Sequence, residues 1–157
     1  MTPSDELPVG VISDTHGLLR PEAVEALRGS SLILHAGDVG DPAILEELEA
    51  LAPVVTVRGN VDRGEWAQAL PETQAVELEG ALLYLLHDVE ALDLSPQAAG
   101  FHAVIFGHSH LPEIRHQEGV LFFNPGSAGP RRFSNPATVG RIFAGGGGVR
   151  AEIVELG

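Results

Sequence analysis

Five short apolar runs rich in Val, Ile and Leu, each followed at once by polar residues, constrain the fold of this chain most strongly. Their length and β-branched content favour strands that are buried on both faces. Helical patterns that begin at Pro21 and at Asp41-Pro42 separate the first three runs. The opening therefore predicts a β-α-β-α-β unit with parallel strands. The five runs cover residues 8–12, 32–35, 54–57, 81–86 and 103–106.

The second half of the chain changes pattern. Residues 74–79 alternate apolar and polar side chains and lead through Gly80 into the fourth run, which predicts an antiparallel hairpin. Further short strands are predicted over residues 113–117, 120–123, 138–144 and 149–156. The 157 residues contain no repeat and no visible boundary, and that length fits one compact domain. We expect a single α/β domain over residues 1–157, with two mixed sheets packed face to face and flanked by helices.

Composition excludes several classes of protein. The chain has no Cys, which excludes disulfides, zinc knuckles and thiol nucleophiles. Its net charge of −13 repels nucleic-acid backbones, so a nucleic-acid partner is disfavoured. No apolar run approaches the roughly 20 residues of a membrane-spanning helix, and the first residues do not resemble a secretory signal. We expect a cytoplasmic protein without a membrane partner.

Polar side chains that can bind metals follow all five apolar runs. The carboxyl ends of parallel strands meet at one edge of a sheet, and that edge is where open α/β sheets bind their ligands. We therefore expect these side chains to converge. They are Asp14, His16, Asp38, Asn60, His87, His108 and His110.

Seven nitrogen and oxygen donors suit two metal ions better than one. Mixed imidazole and oxygen ligands fit Mn, Fe, Co or Zn better than Mg or Ca. Two ions about 3.5–4 Å apart need a bridging carboxylate and can clamp the two oxygens of an in-line displacement. Each residue also has a structural explanation, since Asp and Asn are common in turns and a single His such as His87 often belongs to the core. The joint arrangement favours the metal site.

The ordered motifs resemble the five signatures of the calcineurin-like metallophosphoesterase superfamily, and above all its small YfcE-type phosphodiesterases. The resemblance implies a four-layer αββα sandwich and a water or hydroxide between two metals as the nucleophile. Manganese is the favoured metal, with Fe, Co, Ni and Zn as alternatives. The segments that carry the resemblance are Asp14-Thr15-His16, Gly37-Asp38, Gly59-Asn60-Val61-Asp62, His87, Gly107-His108-Ser109-His110 and Asn124-Pro125-Gly126-Ser127.

The resemblance also implies a role for each site residue. One ion would be held by Asp14, His16 and His110. The other would be held by Asn60, His87 and His108, with Asp38 as the bridge. Asp38, Asn60 and His108 are expected to be catalytic.

Substrate contacts are expected from Asn60, Arg131 and Arg132. An Arg beside two metals can hold a phosphate by paired hydrogen bonds, although two solvated arginines near a turn fit equally well. Two positions depart from the family pattern. Val61 stands where larger relatives have His, and Asp88 stands where the subgroup usually has Gly, which places extra negative charge near the site.

The resulting hypothesis is a phosphodiesterase that hydrolyses a small phosphate ester at a dinuclear metal site. Two alternatives stay open, a phosphomonoesterase and a non-catalytic scaffold with the same fold. Small relatives are often oligomers, so a homo-oligomer is an additional expectation.

Overall fold

Ten strands form two five-stranded sheets in the computed structural model, which describes residues 8–131, 135–145 and 148–156. The first sheet has the order β10-β9-β1-β2-β3 and the second the order β4-β5-β6-β8-β7. In chain order the strands are β1 (Val9–Ile12), β2 (Leu32–His35), β3 (Val54–Thr56), β4 (Thr73–Leu78), β5 (Ala81–Leu86), β6 (Ala103–Ile105), β7 (Glu113–Gln117), β8 (Val120–Asn124), β9 (Thr138–Gly145) and β10 (Gly148–Glu155).

Helices connect the first three strands as predicted. α1 (Pro21–Leu27) joins β1 to β2, and α2 (Pro42–Glu49) joins β2 to β3. The side chain of Asp41 caps α2 by accepting a hydrogen bond from the amide of Ala43 at 2.9 Å. A third short helix, α3 (Glu65–Gln68), and a 3₁₀ helix (Val89–Ala91) follow. No helix within the described ranges is both long and apolar enough to cross a bilayer.

The first sheet is parallel at its centre and antiparallel at one side. β1 pairs in parallel with β2, and β2 with β3, while β9 and β10 add antiparallel neighbours to β1. The predicted parallel opening is therefore confirmed. Its consequence is that the residues after β1, β2 and β3 leave the sheet at the same edge.

The second sheet is also mixed. The predicted β4–β5 hairpin is confirmed, and Glu79 and Gly80 form its turn with φ of 50° and 82°. β6 and β8 continue the sheet in parallel to β5, and β7 closes its edge antiparallel to β8. The residues after β5 and β6 thus also emerge at one edge.

An apolar core fills the space between the two sheets, with Val11 and Leu34 from the first sheet and Leu83, Ile105 and Phe123 from the second. α1 and α2 cover the outer face of the first sheet. The 3₁₀ helix and the turns after it cover the outer face of the second. Two mixed sheets with flanking helices confirm the predicted fold class. The layer on the second sheet is thinner than the α-helical one that the resemblance implied.

Candidate metal centre

Three of the predicted side chains meet beside the carboxyl end of β1. Asp14 and His16 follow β1 directly, and His110 arrives on the loop after β6. The Nε2 atoms of His16 and His110 lie 3.3 Å apart. They are 3.6 Å and 3.4 Å from Asp14 Oδ1. These three residues form the first donor group.

The second donor group lies beside the carboxyl ends of β2 and β5. Asp38 follows β2, His87 follows β5 and His108 follows β6. His87 Nε2 is 3.1 Å from Asp38 Oδ2 and 3.3 Å from His108 Nδ1. Asn60, on the loop after β3, places its Oδ1 atom 3.2 Å from His108 Nδ1. All seven predicted donors therefore lie in one cluster.

Asp38 links the second donor group to the first. Its Oδ2 atom is 3.6 Å from His16 Nε2 in the first group and 3.1 Å from His87 Nε2 in the second. Its Oδ1 atom accepts a hydrogen bond from the amide of Val61 at 3.0 Å. That bond fixes the carboxylate and leaves Oδ2 directed towards both groups.

The spacing of these donors fits divalent metal ions. Two atoms that share one ion at about 2.1 Å lie about 3.0 Å apart at adjacent octahedral positions and about 3.4 Å apart at tetrahedral ones. The neighbouring donors in both groups lie 3.1 to 3.6 Å apart. Asp14 Oδ1 is also buried without a hydrogen-bond partner in the described part of the chain. A cation would satisfy that oxygen.

Five of the seven donors have a left-handed backbone conformation, which non-glycine residues rarely adopt. The strain costs on the order of 1–3 kcal/mol for each residue and typically occurs at functional sites. Only Glu79 and Glu118, both in hairpin turns, share this conformation among the other described non-glycine residues. The five donors are Asp14 (φ 57°), His16 (47°), Asp38 (56°), His108 (73°) and His110 (66°).

Glycine is required where the strand ends approach each other most closely. A Cβ atom on Gly107 would meet the Ser13 hydroxyl and would lie 2.7 Å from Asp14 Oδ2. A Cβ atom on Gly59 would meet the backbone and carboxylate of Asp38. These two glycines allow the loops of both sheets to converge on the donors.

Asp62 ties together the loops that carry Asp38 and Asn60. Its carboxylate is buried and accepts hydrogen bonds from the amides of Val39 at 3.2 Å, Gly40 at 2.9 Å and Gly59 at 2.9 Å. Asp62 thus shapes the two loops by hydrogen bonding. The second donor group is thus built on a fixed backbone.

His35 lies below the site as a neutral, fully buried residue. Its Nδ1 atom accepts from the amide of Gly37 at 3.1 Å. The Thr15 hydroxyl donates to Val39 O at 2.8 Å, so it accepts from the Nε2–H of His35 at 3.1 Å. Burial lowers the pKa of His35 from 6.5 to about 4. His35 therefore supports the loop and leaves no nitrogen for a metal.

Charges within the cluster shift the pKa values of three donors. Burial raises the pKa of the Asp14 carboxyl, but the His16 imidazole 3.6 Å away and the hydrogen bond from Ser13 outweigh it, so the pKa is lowered from its usual value. Burial and a hydrogen bond from His87 act in the same opposed way on Asp38, whose pKa is also lowered. The pKa of His87 is raised because the hydrogen bond to Asp38 outweighs burial. The three shifts share one cause, the attraction between the His87 and His16 imidazoles and the two carboxylates.

His87 turns one fixed nitrogen towards the cluster. Its Nδ1–H donates to the backbone oxygen of Ala36 at 2.8 Å, which leaves Nε2 facing Asp38. A histidine that binds a metal usually donates its other ring N–H in this manner.

A pocket of about 430 Å³ opens beside the second donor group, and Asn60, His87 and His108 form part of its wall. Arg58 also lines it, but its guanidinium forms a 2.7 Å ion pair with Glu72. The pocket places open space directly next to the donors.

Arg131 and Arg132 are the remaining residues expected to contact substrate. Arg131 is exposed on the loop after β8. Arg132 lies outside the described residues. Trp66 packs on the outer apolar cluster of the first sheet.

Two residues support the site in roles that the sequence motifs did not indicate, although Asn124 belongs to one of these motifs. The Ser13 hydroxyl donates to Asp14 Oδ2 at 2.7 Å. Asn124 donates through Nδ2 to Gly107 O and to Ser109 Oγ, both at 3.1 Å, and thereby holds the loop of His108 and His110. Ser13 precedes a donor directly and Asn124 ends a buried strand, and these positions were the available signals.

Comparison with known proteins matches residues 7–143 to the calcineurin-like phosphoesterase superfamily domain. A probable metallophosphoesterase of Methanothermobacter thermautotrophicus is 41% identical over 95% of this chain and 92% of its own. The solved structure of the phosphoesterase YfcE from E. coli is 28% identical, with a TM-score of 0.68 over 88% of this chain and 91% of that one.

A second solved structure shares the fold at low identity. Vacuolar protein sorting 29 from Cryptosporidium parvum matches with a TM-score of 0.76 over 96% of this chain and 97% of that one, at 19% identity. At that identity the match shows the fold alone. The domain match and the 41% identical relative carry the assignment. The chain belongs to the calcineurin-like phosphoesterase superfamily.

Proposed function

We propose that the protein is a metal-dependent phosphodiesterase with a dinuclear metal site. One ion is held by Asp14, His16 and His110, and the other by Asn60, His87 and His108. Asp38 is shared between them. The observation that carries this proposal is the position of Asp38 Oδ2, 3.6 Å from His16 Nε2 and 3.1 Å from His87 Nε2.

Residues around the donors provide a phosphate contact and hold the donors in place. Divalent ions held by these residues would supply Lewis-acid stabilisation of the negative charge on a phosphate group. Asn60 is exposed at the pocket wall, where its side-chain amide can donate to a phosphate oxygen. Asp62 and the amide of Val61 hold the neighbouring backbone and Asp38 in place, so the donors need no rearrangement.

A diester is the proposed substrate class. The pocket of about 430 Å³ beside Asn60 and His108 has room for a second ester group, which a monoester lacks. Among the relatives, YfcE of E. coli is named a phosphodiesterase, and it is 28% identical over 83% of this chain. Phosphomonoesterase activity is the alternative within the same site.

Manganese is the proposed metal, because the donor set mixes imidazole nitrogens with carboxylate and amide oxygens. Iron, cobalt, nickel and zinc suit the same donors. Contacts from Arg131 and Arg132 to the substrate, the single domain over residues 1–157, the cytoplasmic location and a homo-oligomer remain predictions.

Turnover by the metal-depleted and reloaded protein tests the proposal. Protein stripped with EDTA is loaded in parallel with Mn²⁺, Co²⁺, Zn²⁺ or Mg²⁺ and assayed with bis-p-nitrophenyl phosphate and p-nitrophenyl phosphate. We expect the diester to be cleaved faster, best with Mn²⁺. Asp38→Ala and His108→Ala should lose at least about 100-fold in kcat/KM, whereas His116→Ala, an exposed change on β7, should not. Metal-dependent turnover retained by both site variants would overturn the proposal.

A scaffold is the second candidate, favoured by the fold shared with Vacuolar protein sorting 29. It predicts no turnover of either ester with any of the four metals, by protein whose folding is verified by circular dichroism. Measurable turnover that is lost in Asp38→Ala would exclude a purely structural role.

A further inference from the structure

The two ring nitrogens of His108 face different surroundings. Nδ1 lies 3.2 Å from Asn60 Oδ1 and 3.3 Å from His87 Nε2, inside the second donor group. Nε2 points away from the group and lies 4.0 Å from Oδ2 of Asp88. His108 therefore presents Nδ1 to the proposed ion and Nε2 to a carboxylate.

This arrangement requires one tautomer of His108. A neutral imidazole carries a single N–H, and the nitrogen that binds a metal must be free of it. The proton of His108 must then reside on Nε2. A carboxylate 4.0 Å from Nε2 lies beyond hydrogen-bond distance, but its negative charge favours a proton on that nitrogen over one on Nδ1.

The carboxylate of Asp88 is itself fixed. Its Oδ1 atom accepts a hydrogen bond from the amide of Glu90 at 3.0 Å and so caps the 3₁₀ helix. The backbone of Asp88 is extended, with φ of −114° and ψ of 113°, so a glycine is not needed at this position. The capping bond leaves Oδ2 on the side of His108.

The contact has little value for stability. The side chains of His108 and Asp88 are 46% and 43% exposed, and ion pairs at such positions contribute little to folding. His87, the other imidazole of the group, is oriented by a backbone oxygen instead. Asp88 is the only acidic side chain within 4.0 Å of His108 Nε2 in the described ranges. The effect to be expected from Asp88 is therefore on which nitrogen of His108 carries the proton.

We propose that Asp88 is a positioning residue that holds the Nε2–H tautomer of His108 and thereby strengthens metal binding by the second donor group. This inference rests on the proposed dinuclear site. It adds a residue that acts through His108 rather than on substrate. Asp88, which stands where the subgroup usually has Gly, would thus have a defined role at the site.

Replacing Asp88 without disturbing its cap tests the proposal. Asp88→Asn and Asp88→Ser both retain an acceptor for the amide of Glu90 but remove the carboxylate. Asp93→Asn is the matched control, because Asp93 lines the same pocket and carries the same charge. Calorimetric titration of the apo proteins with Mn²⁺ should show one of two sites weakened about 10- to 100-fold in both Asp88 variants, and unchanged affinities in Asp93→Asn.

A second readout needs no metal. Nitrogen-15 NMR of the imidazole rings in the metal-free protein reports the tautomer of His108 directly. We expect the Nε2–H form in the wild type and in Asp93→Asn, and a shift towards the Nδ1–H form in Asp88→Asn and Asp88→Ser. Unchanged affinities and an unchanged tautomer in both Asp88 variants would overturn the inference. Wild-type protein that binds no Mn²⁺ would instead overturn the proposed dinuclear site, while the tautomer experiment would still test Asp88.

Discussion

The Nε2 atoms of His16 and His110 lie 3.3 Å apart although 94 residues separate them in the chain. Two imidazole nitrogens with their lone pairs directed at each other repel, so such a contact needs a proton or a cation between them. Asp14 Oδ1, 3.4 Å from His110 Nε2, supplies the third donor. The three atoms thus act as one binding unit.

Loss of either histidine should remove the same ion. We expect His16→Ala and His110→Ala each to reduce bound Mn²⁺ from two ions per chain to one, and the double variant to retain one. Elemental analysis after gel filtration measures the ratio. His116→Ala serves as the control. A double variant that binds no ion at all would show that the two donor groups do not bind independently.

The left-handed backbone of His108 predicts an unusual order of stabilities. Glycine is normally less stabilising than alanine, but at a φ of 73° alanine carries a steric cost of about 1–2 kcal/mol. His108→Gly should therefore unfold at higher urea concentration than His108→Ala when both are measured in EDTA. Ser109 is not among the residues with positive φ, so Ser109→Gly should be less stable than Ser109→Ala. The same order at both positions would contradict the strained conformation.

Removal of the Asp62 carboxylate should destabilise the whole domain. Asp62→Ala leaves the amides of Val39, Gly40 and Gly59 without their acceptor. The amides of Val39 and Gly59 are buried, and a buried donor without a partner costs about 1–3 kcal/mol, so we expect a loss of at least about 2 kcal/mol in the free energy of unfolding. Urea denaturation measures it, with the exposed Asp93→Ala as the control. A loss equal to that of Asp93→Ala would exclude this role for Asp62.

Burial of His35 predicts a pH-dependent stability. Its pKa is about 4 in the folded protein and near 6.5 when unfolded, so only the unfolded chain binds a proton between these values. The contribution of His35 to the free energy of unfolding should therefore have its full value above pH 6.5 and decrease as the pH falls towards 4. From pH 7.5 to 5 this residue accounts for about 2 kcal/mol of the decrease.

His35→Asn isolates that contribution, because Asn keeps an acceptor for the amide of Gly37 but does not titrate. Its stability should decline about 2 kcal/mol less than that of the wild type over the same interval. His116→Asn, at an exposed position, should follow the wild type. Parallel declines in all three proteins would refute the neutral, buried state of His35.

The local part of the fold was predictable because apolar runs, Pro at helix starts and the Gly80 turn are local signals. The parallel opening then placed Asp14, Asp38 and Asn60 at one edge. The strand order of the second sheet was not predictable. β8 lies between β6 and β7 in the sheet. The hydrophobic periodicity of the sequence shows where strands occur but not which strands pair with each other. The 3₁₀ helix over the second sheet has only three residues, too few to give a helical periodicity in the sequence.

Within the site, residue types and their positions after strands were visible, but their mutual geometry was not. The contact between Asp88 and His108 depends on how two loops of the second sheet approach each other. The hydrogen bonds of Asn124 likewise join β8 to the loop after β6. Tertiary packing decides such contacts, and one sequence contains no direct signal for them.

Each donor group takes members from both halves of the molecule. Asp14, His16 and Asp38 extend from the first sheet, and His87, His108 and His110 from the second. A bound cation would therefore cross-link the two sheets at the edge where their loops meet. A folding intermediate with only one sheet formed would present an incomplete set of ligands, so metal binding would follow the association of both sheets. Removal of the metal by a chelator would weaken the contact between the sheets before it affected either sheet.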